Sequence, residues 1–183
     1  TDLGSGGYYP GGGAIWLVVS ETLRDDGEIS ARGNPSASGG SIYVTAHTLS
    51  GAGMFNANGG SLFGSGYFQG PGGGGRVALY YDTSSFVGIA QAKGGCGSYD
   101  GFSSTCADKG TVGLFDMTNN DLHINSSWRF QKNDGPFNFN HILVTNGAHV
   151  TTENAVSITS ADVLLDVGSS FFLSAQDRVT IPH

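Results

Sequence analysis

The sequence predicts an all-β protein built as a right-handed parallel β-helix, with long glycine-rich loops on one side. Three observations lead to this prediction. Segments of alternating apolar residues recur along the chain, a short strand of the form xAxG follows each of the first three, and 27 of the 31 glycines lie before residue 111. Each coil of such a solenoid buries its inner face only by stacking on its neighbours.

The first repeated element is a strand that follows each glycine cluster. Successive copies are separated by 27, 35 and 35 residues. Alternation with a period of two is typical of a strand, so the alternating residues should face one side and form columns. The four aligned triplets are Ile15, Leu17 and Val19; Ile42, Val44 and Ala46; Val77, Leu79 and Tyr81; and Val112, Leu114 and Asp116.

The second repeated element is a shorter strand, over residues 29–33, 55–59 and 90–94. Glycine at the end of each copy is expected to supply a positive φ for a sharp turn. The inward columns are Ile29, Phe55 and Ala90, and Ala31, Ala57 and Ala92. The polar positions expected to face solvent are Ser30, Asn56 and Gln91, and Arg32, Asn58 and Lys93; the terminal glycines are Gly33, Gly59 and Gly94.

The remaining coils differ in their loops. Residues 59–75 and 94–110 form 17-residue insertions, as a solenoid tolerates at one corner. Beyond residue 111 the coils are leaner, and Val144, Gly147 and Val150 align with Leu165, Gly168 and Phe171. We predict a single β-helix domain over residues 1–183 with six or seven coils, glycine-rich over 1–110 and lean over 111–183.

The two cysteines bear on the compartment. Cys96 and Cys106 lie in a polar loop, with a spacing that matches no zinc pattern. The alternatives are a disulfide-closed loop and two free thiols. A disulfide implies an oxidising compartment, so we predict an extracellular or cell-surface location. The triplet NSS makes Asn125 a candidate glycosylation site.

Charge and hydropathy exclude two classes of partner. The net charge is −7 and no run of Lys or Arg exists, which argues against nucleic acid. The longest apolar run, residues 14–19, is too short to cross a bilayer, so membrane insertion is not expected.

No motif predicts catalysis or a cofactor. Gly70, Gly72 and Gly75 satisfy G-x-G-x-x-G, but a strand follows them where a dinucleotide site needs a helix. No metal-binding spacing joins the histidines, which are His47, His123, His141, His149 and His183.

Two clusters of oxygen-bearing side chains are the remaining chemical candidates, either for Ca²⁺ or for polysaccharide cleavage. Neither has a basic partner in a matching column. Turn chemistry alone explains the first cluster, and the second lacks the EF-hand spacing and the nonapeptide calcium repeat. They are Asp25, Asp26 and Glu28, and Asp116, Asn119, Asn120 and Asp121. We predict no catalytic residue, no cofactor and no metal site.

The outward positions of the first strands are unusually apolar. Trp16, Tyr43, Tyr80 and Phe115 should occupy neighbouring rungs of one outer face, together with Val18. An apolar outer face is usually covered. Three covers are open: the long loops, a second protomer, or a sugar stacked on the rings. The loop residues that could serve are Tyr67, Phe68 and Phe102.

The pattern "GGGAIWLVV…GEISARG…GGSIYVTAHTLSGAG…NANGG…GGGGRVALYY", with later "VTNGAHVTT" turns, resembles the glycine-rich repeats of large secreted or surface proteins with predicted parallel β-helices. It covers roughly residues 11–175. The resemblance implies a structural or adhesive role and supplies no catalytic residues.

Neither end of the sequence has an amphipathic capping helix, which favours head-to-tail stacking. We therefore predict a non-enzymatic, self-assembling subunit or segment of a surface fibre, sheath or adhesin. Its partner would be itself or neighbouring segments of a longer chain. The alternatives are a carbohydrate-binding module that uses the outward aromatics, with a polysaccharide as partner, and a polysaccharide lyase or hydrolase.

Overall fold

The structure is a computed structural model that describes residues 4–6, 9–62, 70–98 and 104–182. Strands make up 53% of the chain. The one helix within these ranges is a single 3₁₀ turn at Lys132–Asp134. The predicted all-β class is therefore confirmed. None of the described segments forms a helix of the length and hydropathy that a membrane span requires.

Sixteen strands lie within the described ranges, and many are only three residues long. They are β1 (Ala14–Arg24), β2 (Glu28–Ser30), β3 (Ser41–Gly51), β4 (Met54–Asn56), β5 (Arg76–Phe86), β6 (Ile89–Gln91), β7 (Cys96–Ser98), β8 (Ser104–Cys106), β9 (Thr111–Asp116), β10 (Asp121–Ile124), β11 (Trp128–Phe130), β12 (Phe137–Val144), β13 (His149–Thr152), β14 (Ser157–Leu165), β15 (Ser170–Phe172) and β16 (Arg178–Thr180).

The strands assemble into four sheets. The main sheet has eight strands in the order β1-β3-β5-β9-β10-β12-β14-β16. Short strands form a first small sheet, β2-β4-β6, and a second small sheet, β11-β13-β15. β7 and β8 form a separate two-stranded hairpin. Successive long strands therefore return to the main sheet, while most of the short strands between them stack in a small sheet.

The predicted columns of the first half are present in register. Ile15 pairs with Ile42, Ile42 with Val77, and Val77 with Val112, all in parallel. In the first small sheet the register is that of the second predicted repeat, with Phe55 between its partners in β2 and β6. Both sets of inward residues contribute to one hydrophobic core, the first core, which includes the buried residues Ala31, Ala57 and Ala92.

The reason for the strand-ending glycines differs from the prediction. None of Gly33, Gly59 and Gly94 has a positive φ. A Cβ on Gly59 would instead lie 2.1 Å from the carbonyl oxygen of Gly72, and one on Gly94 would lie 1.9 Å from that of Ala107. Glycine is needed here because the returning loop passes against the backbone at a distance that no side chain permits.

One polar position is buried where solvent exposure was expected. Asn56 is only 5% exposed. Its Nδ2 donates to Glu28 Oε1 at 2.8 Å, and its Oδ1 accepts from the backbone N–H of Asn58 at 3.1 Å. These partners, one of them in the neighbouring strand, satisfy the amide and make its burial tolerable.

Strand direction reverses in the middle of the main sheet. β9 and β10 form an antiparallel pair, and β10, β12, β14 and β16 are then parallel to one another. The carboxylate of Asp116 organises the turn, since its Oδ1 accepts from the backbone N–H groups of Thr118 and Asn119 at 3.0 and 2.8 Å. Asn120 completes the turn with a φ of 55°.

The reversal also moves the core to the opposite face of the main sheet. Directly opposed residues of an antiparallel pair project from the same face. Leu122 is opposite Phe115 and Ile124 is opposite Gly113, and both of those β9 positions point away from the first core. Leu122 and Ile124 are fully buried in a second core. The two cores therefore lie on opposite faces of one continuous sheet.

The strands of the second half also follow their predicted alignment. Val144 pairs with Leu165, and Val150 pairs with Phe171. Gly147 and Gly168 have φ values of 61° and 88° and occupy equivalent turns. Here the left-handed backbone does favour glycine.

Candidate functional site

The outward aromatic side chains form a continuous row on the main sheet. The ring centroids of Trp16 and Tyr43 are 5.9 Å apart, and those of Tyr43 and Tyr80 are 5.1 Å apart. Tyr80 stacks on Phe115 at 4.3 Å with an interplanar angle of 7°. Parallel pairing of β1, β3, β5 and β9 brings the rings together, because it places neighbouring rungs at the spacing of stacked rings.

The row has a fifth member that sequence reasoning missed. Trp128 of β11 contacts Phe115 at a centroid distance of 5.7 Å. Its indole occupies the space above Gly113, where a Cβ would lie 2.7 Å from Trp128 Cζ3. In the sequence, the only sign of Trp128's role is that an aromatic residue follows β10. The face to which its side chain points depends on the transfer of the core to the other face of the main sheet. We call Trp16, Tyr43, Tyr80, Phe115 and Trp128 the aromatic ladder.

Exposure falls along the ladder. Trp16 is 69% exposed and its neighbour Val18 is 72% exposed. Tyr80 is half-buried, and its burial, followed by the proximity of Tyr43, raises the pKa of its hydroxyl. Phe115 and Trp128 pack against the second core. One end of the ladder is therefore covered by the second half of the chain, which was not among the predicted covers. Tyr67, Phe68 and Phe102 lie outside the described residues.

A shallow groove of about 260 Å³ runs beside the ladder at Tyr80. Its apolar lining residues include Val18 and Met117. Its polar side carries His47 and Asp82, whose Nδ1 and Oδ2 atoms are 2.8 Å apart. An aromatic surface with hydrogen-bonding groups at its edge can bind a ligand that has both an apolar face and hydroxyl groups.

The cysteines form one disulfide. Cys96 lies opposite Cys106 in the β7–β8 hairpin, and their sulfur atoms are bonded at 2.04 Å. The disulfide interpretation of the sequence is therefore the one that the structure supports.

Asn125 is half-buried between the two halves of the chain. Its Nδ2 donates to the carbonyl oxygen of Ala90 at 3.4 Å, and its Oδ1 is buried without a hydrogen-bond partner. Nδ2 is the atom to which a glycan would be attached. Glycosylation, which stays a prediction, would require this side chain to leave Ala90.

The first acidic cluster is used in local structure. Asp25 is buried, with Oδ1 accepting from the Gly27 N–H at 3.0 Å and Oδ2 unpartnered. Asp26 pairs with Arg24 at 2.6 Å, and the hydrogen bond from Arg24, helped by that from the Ala52 N–H, lowers the pKa of Asp26. These contacts fold the turn between β1 and β2.

The side chains of the second cluster also make hydrogen bonds within local structure. Asp116 caps its own turn, while Asp121 Oδ1 accepts from the backbone N–H of His141 at 3.0 Å. Asn120 Nδ2 donates to the carbonyl oxygen of Asn138 at 3.0 Å. Over the described ranges, no three His, Cys, Asp or Glu side chains lie close enough to hold a metal ion together.

Each described histidine contacts a neighbouring strand or its adjoining turn. His141 Nδ1 lies 2.9 Å from Asp162 Oδ2, and this hydrogen bond raises the pKa of His141. His123 Nε2 lies 2.7 Å from Thr145 Oγ1, and burial lowers the pKa of His123. His149 Nδ1 lies 2.6 Å from Ser170 Oγ. His183 is outside the described residues.

Comparison with known proteins supplies no analogy for these features. No protein family, curated protein or solved structure matches this chain.

Proposed function

We propose that this chain is a segment of extracellular, right-handed parallel β-helix with a structural, non-enzymatic role. It would stack end to end with itself or with neighbouring segments of a longer chain. The observation that carries the proposal is the in-register parallel pairing of β1, β3, β5 and β9, matched by that of β2, β4 and β6. Stacked coils with identical columns are the means by which solenoids bury a continuous core.

The direction of the strands and the face that holds the core together give the same helical hand to the parts of the chain before and after the β9–β10 turn. Reversing the strand direction alone would invert the sense of winding about a common axis. Moving the core to the opposite face of the main sheet inverts it once more, so the two changes together leave the hand unchanged. Crossover connections between parallel strands of one sheet are almost always right-handed. The proposed hand is therefore right-handed on both sides of the β9–β10 turn.

The edges of the main sheet support the stacking role. Among the described strands, β1 pairs only with β3, and β16 pairs only with β14. An edge strand presents unpaired N–H and C=O groups to a further strand. β1 is 11 residues long and carries exposed Trp16 and Val18, which makes it a suitable template. A head-to-tail contact between such edges builds an open filament.

The disulfide supports the extracellular part of the proposal. Disulfides such as Cys96–Cys106 persist in oxidising compartments and are rare in reducing ones. The structural role is further supported by the local hydrogen bonds of the two acidic clusters, since these carboxylates stabilise turns.

The experiment compares assembly of the parent chain with that of an edge variant. Ser41 N–H donates to Gly13 O, so alternation along β1 directs the backbone groups of Val18 towards the free edge. Val18→Pro removes that donor, whereas Val18→Thr retains it. Light scattering and electron microscopy should detect filaments for the parent and for Val18→Thr. For Val18→Pro they should detect only monomers or short oligomers. Monomers for all three proteins would reject the stacking role.

The aromatic ladder favours a second candidate, carbohydrate binding. The exposed end at Trp16 and Tyr43 offers ring faces, and the groove at Tyr80 adds the polar His47–Asp82 pair. A glycan array with the parent chain and Trp16→Ala tests this candidate. Leu164→Ala is the matched control, because Leu164 is an exposed apolar residue on another part of the main sheet. Sugar binding that Trp16→Ala removes and Leu164→Ala preserves would favour this candidate.

A further inference from the structure

The first small sheet has three strands, whereas the parallel first part of the main sheet has four, β1, β3, β5 and β9. β1, β3 and β5 are each followed by a short strand, namely β2, β4 and β6. β9 is instead followed by the antiparallel strand β10, so none of the described strands stacks on the outer side of β6. A groove of about 340 Å³ lies at this position, which we call the β6 groove.

Two backbone donors of the β6 groove lack the acceptor that their counterparts have. The N–H groups of Ala31 and Ala57 each donate to a carbonyl oxygen of the next coil, those of Asn56 and Gln91, at 2.8 and 2.9 Å. The equivalent N–H of Ala92 donates to no acceptor in the described part of the chain.

The same interruption occurs two residues later. The N–H groups of Gly33 and Gly59 donate to the carbonyl oxygens of Asn58 and Lys93, each at 2.9 Å. The N–H of Gly94 has no counterpart acceptor within the described ranges. Ala92 and Gly94 therefore present two donors at strand spacing to the β6 groove, both of which line it.

The walls of the β6 groove indicate the chemistry of its ligand. Lys93 and Lys109 line it, and both are exposed in a protein whose net charge is −7. Asn125 closes one end by donating to the Ala90 carbonyl, and its unpartnered, buried Oδ1 adds an acceptor. Among the described residues that line this groove there is no carboxylate.

We propose that the β6 groove binds an extended acidic peptide segment by β-strand addition. Two alternate carbonyl oxygens of the peptide would accept from Ala92 and Gly94, which extends the first small sheet by one strand. The residue between them would face inward and continue the column of Ala31, Ala57 and Ala92, so it must be small. The residue that follows it would lie beside Lys93 and is expected to be Asp or Glu.

A whole further coil does not fit this position. The main-sheet place beside β5 is already occupied by β9. Only an isolated extended segment can enter, so the inference does not depend on whether chains stack end to end. Its test is carried out on one chain and is separate from that of the proposed function.

The probe is a fluorescein-labelled peptide, Ala-Asp-Ala-Asp-Gly-Ser, compared with Ala-Lys-Ala-Lys-Gly-Ser by fluorescence anisotropy. We expect only the acidic peptide to bind. Lys93→Glu combined with Lys109→Glu should weaken binding by about tenfold or more. Lys132→Glu, which reverses an exposed charge outside the groove, should bind like the parent.

The site of binding is identified by nuclear magnetic resonance. The acidic peptide should shift the backbone amide signals of Ala92 and Gly94, as new hydrogen bonds form there. Three results would each overturn the proposal: no binding of the acidic peptide at millimolar concentration, binding that leaves both amide signals in place, or equal affinity of the parent and the doubly substituted chain.

Discussion

Phe115 of β9 lies directly opposite Leu122 of β10, and both side chains project from the same face of the main sheet. Phe115 belongs to a strand whose other face holds the first core, whereas Leu122 is buried in the second core. A turn of four residues thus transfers the hydrophobic core from one face to the other without interrupting the sheet. The same turn makes the aromatic ladder continuous with the second core.

The position of Leu122 leads to the first prediction. Leu122→Ala should lower the free energy of unfolding by about 2–5 kcal/mol, because a fully buried side chain leaves a cavity. Leu164→Ala, at an exposed leucine, should change it by no more than about 0.5 kcal/mol. Urea denaturation followed by circular dichroism measures both. Equal, small effects would mean that Leu122 is not in a core.

The alanine column leads to the second prediction. Ala57 is 0% exposed and belongs to the first core with Ala31 and Ala92. Ala57→Leu should destabilise the fold by about 1–3 kcal/mol, since the added atoms have no space between the neighbouring strands of the first core. Ser30→Leu, at an exposed position of the neighbouring strand, should be nearly neutral in the same urea titration. A neutral Ala57→Leu would contradict the stacked column.

Close backbone approach leads to the third prediction. Gly59→Ala should lower the free energy of unfolding by about 1–3 kcal/mol, because its Cβ would lie 2.1 Å from the Gly72 carbonyl oxygen. Gly13→Ala is the matched control, since nothing lies within 4 Å of a Cβ there. Thermal and urea unfolding should separate the two variants. If Gly59→Ala were as stable as Gly13→Ala, the loop would not pass against residue 59.

The fourth prediction concerns pH and two histidines with opposite behaviour. The hydrogen bond that His141 donates to the Asp162 carboxylate raises the pKa of His141 above 6.5. The contribution of this pair to stability is therefore fully present below pH 6.5 and is lost as the pH rises through the raised value. Burial lowers the pKa of His123. The contribution of His123 to stability is therefore fully present above pH 6.5 and is lost as the pH falls below that value. Their combined contribution should therefore be greatest near pH 6.5.

Titration of the imidazole signals by nuclear magnetic resonance checks this prediction directly. Asp162→Asn should return the His141 titration towards its ordinary value and leave His123 unchanged. A His123 that titrates above a pH of about 6.5 would contradict its burial.

Much of the candidate site could be predicted because it depends on local strand geometry. Alternation placed Trp16 and Tyr43 on the outer face, and the repeat spacing placed Tyr80 and Phe115 in neighbouring rungs. Trp128 could not be assigned in this way, since it reaches the ladder from a strand on the opposite side of the reversal. The burial of one polar outward residue, Asn56, depends likewise on its contact with Glu28 of the neighbouring strand.

The sequence by itself determined the all-β class and the pairing columns of both halves, and its two cysteines allowed one disulfide within the chain. It could do so because the period of a strand is a property of a few consecutive residues, and equal spacing puts equal residues side by side. The tertiary structure decided the reversal at Asp116, the transfer of the core to the other face and the β6 groove. These features depend on which strand lies next to which, and no local pattern of side chains encodes that choice.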